Sequence, residues 1–248
     1  MSDSKKENTK VMSKDSKKRL QKDIIDILKN PLTEHGIYYT HDDANMLKGY
    51  AVIFGPNDTI YRYGAYMFEL NFPTNYPVSP PKLVYLTNDG NTRFHPNLYR
   101  NGKVCLSVLN TWRGEGWTSC QTIRSILLIL VTLFHNKPLL NEPGIKESHI
   151  SFKPYNKIIT YRNVEHSIIK IFKTGMDETE KPIYLSWFFP FYKKYINKNK
   201  DDIIKYIEDL TQDKEKNGNF STSIYGLSCK TQYKKLLTKF KKIVSKLN

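Results

Sequence analysis

Cysteine is scarce in this chain, and long apolar runs are missing. Among 248 residues there are 3 cysteines, Cys105, Cys120 and Cys229, and none forms a Cys-x-x-Cys pair. This spacing excludes a disulfide framework and a zinc site built on cysteine pairs. No segment approaches the roughly 20 apolar residues that cross a bilayer, and the polar N-terminus MSDSKKENTKVMSKDSKKR has no apolar signal core. We therefore expect reduced thiols and a cytoplasmic or nuclear location, or a host cell or virion if the source is viral.

Acidic residues are also few compared with basic ones. The chain has 39 Lys and Arg against 24 Asp and Glu, which gives a formal charge of +15 and a pI near 9.5. Such a charge favours acidic partners, whether protein faces, nucleic acid or anionic membrane. Lysine supplies most of it, in a chain also rich in Ile, Asn and Tyr, a bias typical of AT-rich coding DNA. The charge alone therefore does not indicate a nucleic-acid-binding protein.

The first part of the chain predicts one helix followed by strands. Residues 1–14 are polar and predict a flexible tail, and apolar residues then recur at helical spacing until Asn30-Pro31. Residues 50–54 form an apolar run that closes at a Gly-Pro turn. Residues 65–72 alternate in the pattern of a half-buried strand. These patterns predict an antiparallel meander after the first helix.

A proline-rich segment and a long loop come next. The sequence YPVSPP at 76–81 lacks the backbone donors of a sheet strand. Residues 88–120 are rich in Asn, Gly and Thr, and a loop of that length in a compact domain is usually functional. Apolar stripes then predict helices over about 123–134 and 154–172.

Beyond Lys173 the chain becomes lysine-rich. One helix is predicted to open at Pro182, and a second to be capped by Asp201-Asp202. Residues 211–223 form a polar break, and the last segment carries an apolar face beside several lysines. We expect a core over residues 15–173 and a helical, lysine-rich C-terminal extension over 174–248.

The candidate chemistry lies in the segment FHPNLYRNGKVCLSVLNTWRGEGW, residues 94–117. A thiol is a strong nucleophile near neutral pH, and its thioester is activated towards amines. The side-chain amide of Asn97, eight residues before Cys105, could donate to the oxyanion formed when an amine attacks. His95 is either a base or, as is commoner for a His before Pro in a turn, a residue that hydrogen-bonds the backbone.

Residues 94–105 resemble the ubiquitin-conjugating E2 family, whose hallmark is His-Pro-Asn followed eight residues later by the catalytic cysteine. Residues 17–172 are similar in order, from KRLQKDIIDIL through GPNDTIYRYGAYMFELNFPTNYPVSPPKL to WTSCQTI. The insert NTWRGEGW, with NEPG and PYNKIITYRNV, resembles a large-E2 subgroup that includes the E2 domain of apollon. The resemblance implies an α+β, UBC-like core: an N-terminal helix, a four-stranded antiparallel meander sheet and C-terminal helices, here followed by the helical extension.

The resemblance also implies roles. Cys105 would accept ubiquitin or a ubiquitin-like protein from an E1 activating enzyme and pass it to a substrate lysine or an E3 ligase, without cofactor or metal. Asn97 would stabilise the oxyanion or support the active-site loop. Glu142 in NEPG would orient the incoming lysine, or it is a solvated loop charge. The implied active-site supports are His95, Pro96, Glu142, Ser107 and Trp112, and the implied E1 or E3 contacts are Lys18, Arg19, Lys22, Val78, Trp117 and Ser119.

The chain departs from the common family pattern at several positions. Val78 and Ser119 stand where many E2s place a Phe and a Pro that contact E3 ligases, and Ser107 replaces a frequent Asp. The extra residues around Trp112 either cover the thioester or form a packed turn. Ordinary E3 partnership is therefore expected to differ.

Two further interpretations stay open from the sequence. A noncatalytic adaptor would use the same fold to bind ubiquitin or an E3, although the presence of Cys105 argues for activity. The last, lysine-rich helix would bind nucleic acid or an anionic membrane, or it docks on the core with its lysines in water. Cys120 and Cys229 have no neighbouring His and are interpreted as packing residues.

Overall fold

The computed structural model describes residues 11–179 and 181–247. Its first helix, α1, spans Lys14–Lys29 and is capped by Ser13, whose hydroxyl accepts from the Ser16 amide at 3.1 Å. The helix stops at Asn30 because the following proline disfavours helical geometry in the residue before it. Of the predicted tail over 1–14, residues 1–10 lie outside the described residues, and Lys14 already belongs to α1.

The predicted four-stranded antiparallel meander is confirmed. Strands β1, β2, β3 and β4 lie side by side in chain order, each antiparallel to its neighbour. They span Ile37–His41, Lys48–Phe54, Ala65–Asn71 and Lys82–Tyr85.

The prediction that residues 65–72 form a half-buried strand is wrong for most of β3. Residues 65–68 are all buried, and so is nearly all of β2, because helices cover both faces of the sheet. On one face Tyr66 packs against Phe134 with ring centroids 4.4 Å apart. On the other face, the ring centroid of Tyr50 lies 4.5 Å from that of Trp187, which belongs to the C-terminal extension.

Three α-helices and one π-helical segment complete the core. Helix α2, Ile123–Val131, is capped by Thr122 and buries an apolar stripe. Helix α3, Phe152–Arg162, runs on through a π-helical segment, Asn163–Lys170, into α4, Ile171–Gly175. Asn163 opens the π-helical segment, where its amide accepts from the buried Tyr66 hydroxyl at 2.6 Å and donates to the Arg62 carbonyl at 2.9 Å.

The extension begins with one long helix instead of the two predicted. Helix α5 spans Ile183–Gln212 without a break at Asp201-Asp202. Both aspartates are exposed, whereas the buried stripe continues past them from Ile196 to Ile203. Burial of this stripe outweighs the local preference of Asp for a helix start.

The rest of the extension is not wholly helical. Strands β5, Asn219–Ser221, and β6, Ser228–Lys230, form an antiparallel hairpin that overlaps the predicted polar break. Helix α6, Tyr233–Val244, buries Leu236 and Phe240 and packs against α5 and the π-helical segment, while most of its lysines face solvent. This geometry favours the docked alternative for the last helix. Within the described ranges, no helix is long and apolar enough to cross a membrane.

Candidate active site

The chain enters the site through a segment held by two buried tyrosines. The Tyr61 hydroxyl donates to the Phe94 carbonyl, and the Tyr155 hydroxyl donates to the Arg93 carbonyl, both at 2.7 Å. Both rings are completely buried, so neither anchor competes with water. The backbone just before His95 is therefore fixed from the core.

The His-Pro-Asn motif forms a tight turn shaped by His95. The backbone N–H of Asn97 donates to His95 Nδ1 at 3.0 Å, and the His95 side chain is fully buried. Burial, with His135 and Arg93 nearby, holds the pKa of His95 well below its usual value, so the imidazole is neutral. A neutral, enclosed imidazole whose Nδ1 is engaged favours the turn-shaping role over that of a base.

Asn97 and Cys105 are joined by two hydrogen bonds. The Cys105 N–H donates to the Asn97 carbonyl at 2.9 Å, and Asn97 Nδ2 donates to the Cys105 carbonyl at 2.6 Å. The amide of Asn97 therefore supports the loop that carries the thiol. Among the described residues, its Oδ1 atom is buried without a hydrogen-bond partner, so the amide is held through Nδ2 alone.

Backbone pairing on the strand side aligns the cysteine segment. Val84 of β4 and Lys103 form a bridge, and the Tyr85 N–H donates to the Gly102 carbonyl at 2.7 Å. Gly102 has a φ of +83, and a Cβ there would lie 3.0 Å from the Tyr85 carbonyl oxygen, so the turn requires glycine. Cys105 emerges from this turn with 2% of its surface exposed, which limits the access of water to a thioester.

The other side of Cys105 is held by Thr111, which sequence reasoning missed. The Leu106 N–H donates to Thr111 Oγ1 at 2.9 Å, and this hydroxyl lies within hydrogen-bonding distance of the Val104 and Leu106 carbonyls. Thr111 begins the insert loop, residues 111–116, whose base is closed where the Trp117 N–H donates to Asn110 Oδ1 at 2.9 Å.

The insert loop lies against Ser107. A Cβ at Gly114, where φ is +129, would come within 3.1 Å of the Ser107 Cβ. Ser107 begins a short helical turn directly after the cysteine segment, and Trp112 is half-buried within the insert. The insert loop is thus closed at its base by Asn110 and Trp117 and packs against Ser107, two residues after Cys105.

Glu142 is not a free loop charge. One of its carboxylate oxygens accepts a hydrogen bond from the hydroxyl of Tyr225, a residue of the C-terminal extension. Its backbone N–H donates to the Leu139 carbonyl at 3.1 Å. No periodicity or motif in the sequence links positions 142 and 225, so this pair emerges only from the fold.

Arg93 is a further residue that the sequence did not reveal. Its guanidinium donates to the carbonyl of Pro96, at 3.2 Å from Nε, and stacks 3.3 Å from the centroid of Tyr99. It also lies 4.9 Å from the Tyr225 ring. Pro96 is itself buried, so Arg93 fixes the catalytic turn from its outer side.

On α1, the three residues predicted to contact E1 or E3 divide into two kinds. Lys18 and Lys22 are exposed. Arg19 is partly buried: it pairs with the buried Asp23 at 3.1 Å and donates to the carbonyls of Ser119 and Gln121, both at 2.6 Å. Arg19 therefore ties α1 to the loop before α2, and its contact with E1 or E3 stays a prediction.

The predicted E3 contacts come together beside α1. Trp117 Nε1 donates to the Pro77 carbonyl at 2.7 Å, which joins the proline-rich loop to the loop of Ser119. Val78 is 71% exposed, and Ser119 is exposed as well. Val78 and Ser119 are thus exposed on two loops that Trp117 joins, and Arg19 links the loop of Ser119 to α1.

This combination defines an E2 enzyme fold: a meander sheet, a His-Pro-Asn turn and a cysteine held against it. A family model described as ubiquitin-conjugating enzyme matches residues 19–176, and the chain belongs to this family. The general reaction of the family is transfer of ubiquitin through a cysteine thioester, which involves an E1 and an E3.

Among curated proteins, the chain is 38% identical over 156 residues to ubiquitin-conjugating enzyme E2 Z of Xenopus tropicalis, covering 62% of this chain and 49% of that protein. It is 39% identical over 153 residues to human E2 Z, with 60% and 43% covered. It is also 41% identical over 127 residues to the human dual E2/E3 enzyme BIRC6, with 48% and 3% covered. The chain spans about half the length of the E2 Z relatives, and BIRC6 agrees with the large-E2 resemblance.

Proposed function

We propose that this chain is an active E2 that carries ubiquitin, or a ubiquitin-like protein, as a thioester on Cys105. The observation that carries the proposal is the paired hydrogen bonding of Cys105 and Asn97 within the family's matched region. In charging, Cys105 attacks as a thiolate and its sulfur forms a bond to the acyl carbon. The bond between that carbon and the E1 cysteine sulfur breaks, and the E1 cysteine leaves as a thiolate.

In transfer, the amine of a substrate lysine attacks the same carbon. The N–C bond forms, the C–S bond breaks, Cys105 leaves as a thiolate and the amine releases its proton. Asn97 lies next to Cys105 and is proposed to donate to the transient oxyanion, or to keep the loop in place while it forms. A thioester on Cys105 could also pass to the cysteine of an E3 by the same exchange.

The exposed residues Lys18, Lys22, Val78 and Ser119 are proposed to contact the E1 or an E3. Val78 offers less apolar area than a Phe, so E3 contacts there are expected to be weaker or to involve different ligases. The cytoplasm or nucleus is proposed as the location, supported by three free cysteines in the described structure.

Incubation with E1, ATP and ubiquitin tests this proposal. We expect a conjugate that a reducing agent dissolves. Cys105→Ser should give a reductant-resistant conjugate, and Cys105→Ala should give none. Cys120→Ala is the matched control, because Cys120 is also a free cysteine. Cys120 is exposed, so the prediction that it is a packing residue is wrong.

Normal charging of Cys105→Ala would contradict the assignment of the nucleophile. Failure of the native chain to charge with a panel of E1 enzymes and modifiers, together with retained ubiquitin binding, would instead indicate a noncatalytic adaptor.

A further inference from the structure

The turn of the C-terminal hairpin places an aromatic residue in an unusual conformation. Tyr225, between β5 and β6, has φ 63 and ψ 1, in the left-handed region that side-chain-bearing residues seldom adopt. The following residue, Gly226, also has a positive φ, so the turn is sharply folded. Such a conformation persists only where the surroundings hold it.

Contacts from the catalytic segment hold Tyr225 in place. The Arg100 guanidinium donates to the Tyr225 carbonyl, and Arg93 lies 4.9 Å from the ring centroid. Tyr155, which anchors the Arg93 carbonyl, packs edge-on against the same ring at 6.1 Å. The residues that shape the His-Pro-Asn turn therefore also seat a side chain from the extension.

Tyr225 in turn fixes the carboxylate of Glu142. Its hydroxyl donates to Oε2, and no side chain among the described residues bonds Oε1. Burial, followed by the hydrogen bond to Glu142, raises the pKa of Tyr225 well above its usual value, so the hydroxyl remains a donor. One oxygen is thus fixed while the other is left to accept a hydrogen bond from an amine.

We propose that Tyr225 is a positioning residue for Glu142, so that the C-terminal extension completes the acceptor side of the active site. The ligand of this side is the amine of an incoming lysine. The inference rests on the proposed function, in which Cys105 carries the thioester, and on the role that the E2 resemblance implies for Glu142, which is to orient the incoming lysine. In this proposal Tyr225 does not meet the substrate itself; its hydroxyl orients the Glu142 carboxylate towards the incoming amine.

The chemistry explains why orientation matters. An incoming lysine approaches as an ammonium ion, which must lose one proton before its nitrogen can attack and a second as the N–C bond forms and the Cys105 C–S bond breaks. When Tyr225 holds Oε2 of Glu142, the remaining oxygen, Oε1, attracts the ammonium ion and aligns its nitrogen towards the acyl carbon. A small nucleophile that is already neutral needs neither the attraction to a carboxylate nor the alignment of its nitrogen.

The test separates these two kinds of nucleophile. The chain is loaded with ubiquitin by E1 and ATP, E1 is then stopped, and loss of the thioester is followed with free lysine or with hydroxylamine. We expect Tyr225→Phe to slow discharge to lysine by at least about tenfold, as for loss of one hydrogen bond to a charged group. Discharge to hydroxylamine should change by less than about twofold. Glu142→Gln should show the same selectivity, and the double variant should be no slower than Glu142→Gln.

Tyr161→Phe is the matched control, because it removes another tyrosine hydroxyl that donates to a glutamate, Glu165, at 3.3 Å. It should discharge like the native chain to both nucleophiles. If Glu142→Gln slows lysine discharge but Tyr225→Phe does not, the inference is overturned and the role of Glu142 stands. Equal slowing with both nucleophiles would show a structural effect and also overturn it.

The experiment distinguishes failure of the Tyr225 proposal from failure of the Cys105 thioester proposal. If neither variant slows discharge to lysine, Tyr225 has no positioning role, although Cys105 still loads. If the native chain does not load at all, it is the thioester assignment that fails.

Discussion

Asn97 and Cys105 bond to each other in both directions, the backbone of Cys105 to that of Asn97 and the side chain of Asn97 back to the Cys105 carbonyl. Cys105 and the side-chain amide of Asn97 therefore cannot move independently. Because Asn97 is also tied to His95 through its backbone N–H, the turn and the cysteine form one rigid unit.

We expect Asn97→Ala to weaken both folding and transfer. The buried Cys105 carbonyl loses its side-chain donor, at a cost of about 1–3 kcal/mol in the free energy of unfolding. Discharge to lysine should fall more than charging by E1, since the amide acts when an amine attacks. Urea unfolding and single-turnover discharge measure the two effects.

Asn75→Ala is the control for this variant, since it removes only an exposed amide-to-hydroxyl hydrogen bond to Ser79. Native stability and native discharge in Asn97→Ala would contradict both roles of the amide.

Substitutions of Arg19 and Lys22 should affect different properties, stability for Arg19 and charging by E1 for Lys22, although both residues lie on α1. Arg19→Lys keeps the charge but loses the planar geometry that reaches Asp23, Ser119 and Gln121 together, so we expect a loss of about 1–3 kcal/mol in stability. Lys22→Ala, on the exposed side, should keep native stability and raise the E2 concentration needed for half-maximal charging. Thermal unfolding and an E1 titration check these outcomes. A fully stable Arg19→Lys would refute the role of Arg19 in tying α1 to the loop before α2.

Stability should fall as the pH is lowered from about 6.5 to 5, because burial holds the pKa of His95, His166 and His41 below the usual value. In this window the unfolded imidazoles gain protons more readily than the folded ones, so protonation favours the unfolded chain. Each histidine contributes at most about 1.4 kcal/mol per pH unit.

His95→Asn keeps an acceptor near the Asn97 N–H and removes one such group, so the free energy of unfolding should depend less on pH than in the native chain. Urea unfolding at several pH values measures this slope. The surface variant His35→Asn is the control, and an unchanged slope in His95→Asn would contradict the prediction.

Phe240 of α6 should prove as important to stability as a core residue. It is completely buried, and Phe240→Ala is expected to lower the free energy of unfolding by about 3–5 kcal/mol. If the extension belongs to the same folding unit, calorimetry should show one transition shifted to lower temperature. The exposed neighbour Lys239→Ala should unfold like the native chain, and a separate early transition in Phe240→Ala would show an independent extension.

Local patterns in the sequence were enough for the meander, α1, α2 and the unit of His95, Asn97 and Cys105. Each depends on spacing within a short stretch, where side-chain periodicity or a turn determines the geometry. The continuous helix α5 was missed because the exposed Asp201-Asp202 pair resembles a helix start, while the deciding force was a buried stripe. The pairing of Glu142 with Tyr225 joins positions far apart in the chain, and only tertiary packing brings them together.

The ring of Tyr195 in α5 stacks on Phe54 of the sheet, 4.2 Å apart and nearly parallel at 4°. A fragment ending at residue 176, where the family match stops, would leave this aromatic sheet face in contact with water. Exposed apolar areas of that kind promote self-association. Recombinant work on the catalytic core alone would thus be prone to produce aggregates, and the shortest well-behaved form of this enzyme is expected to include its C-terminal helices.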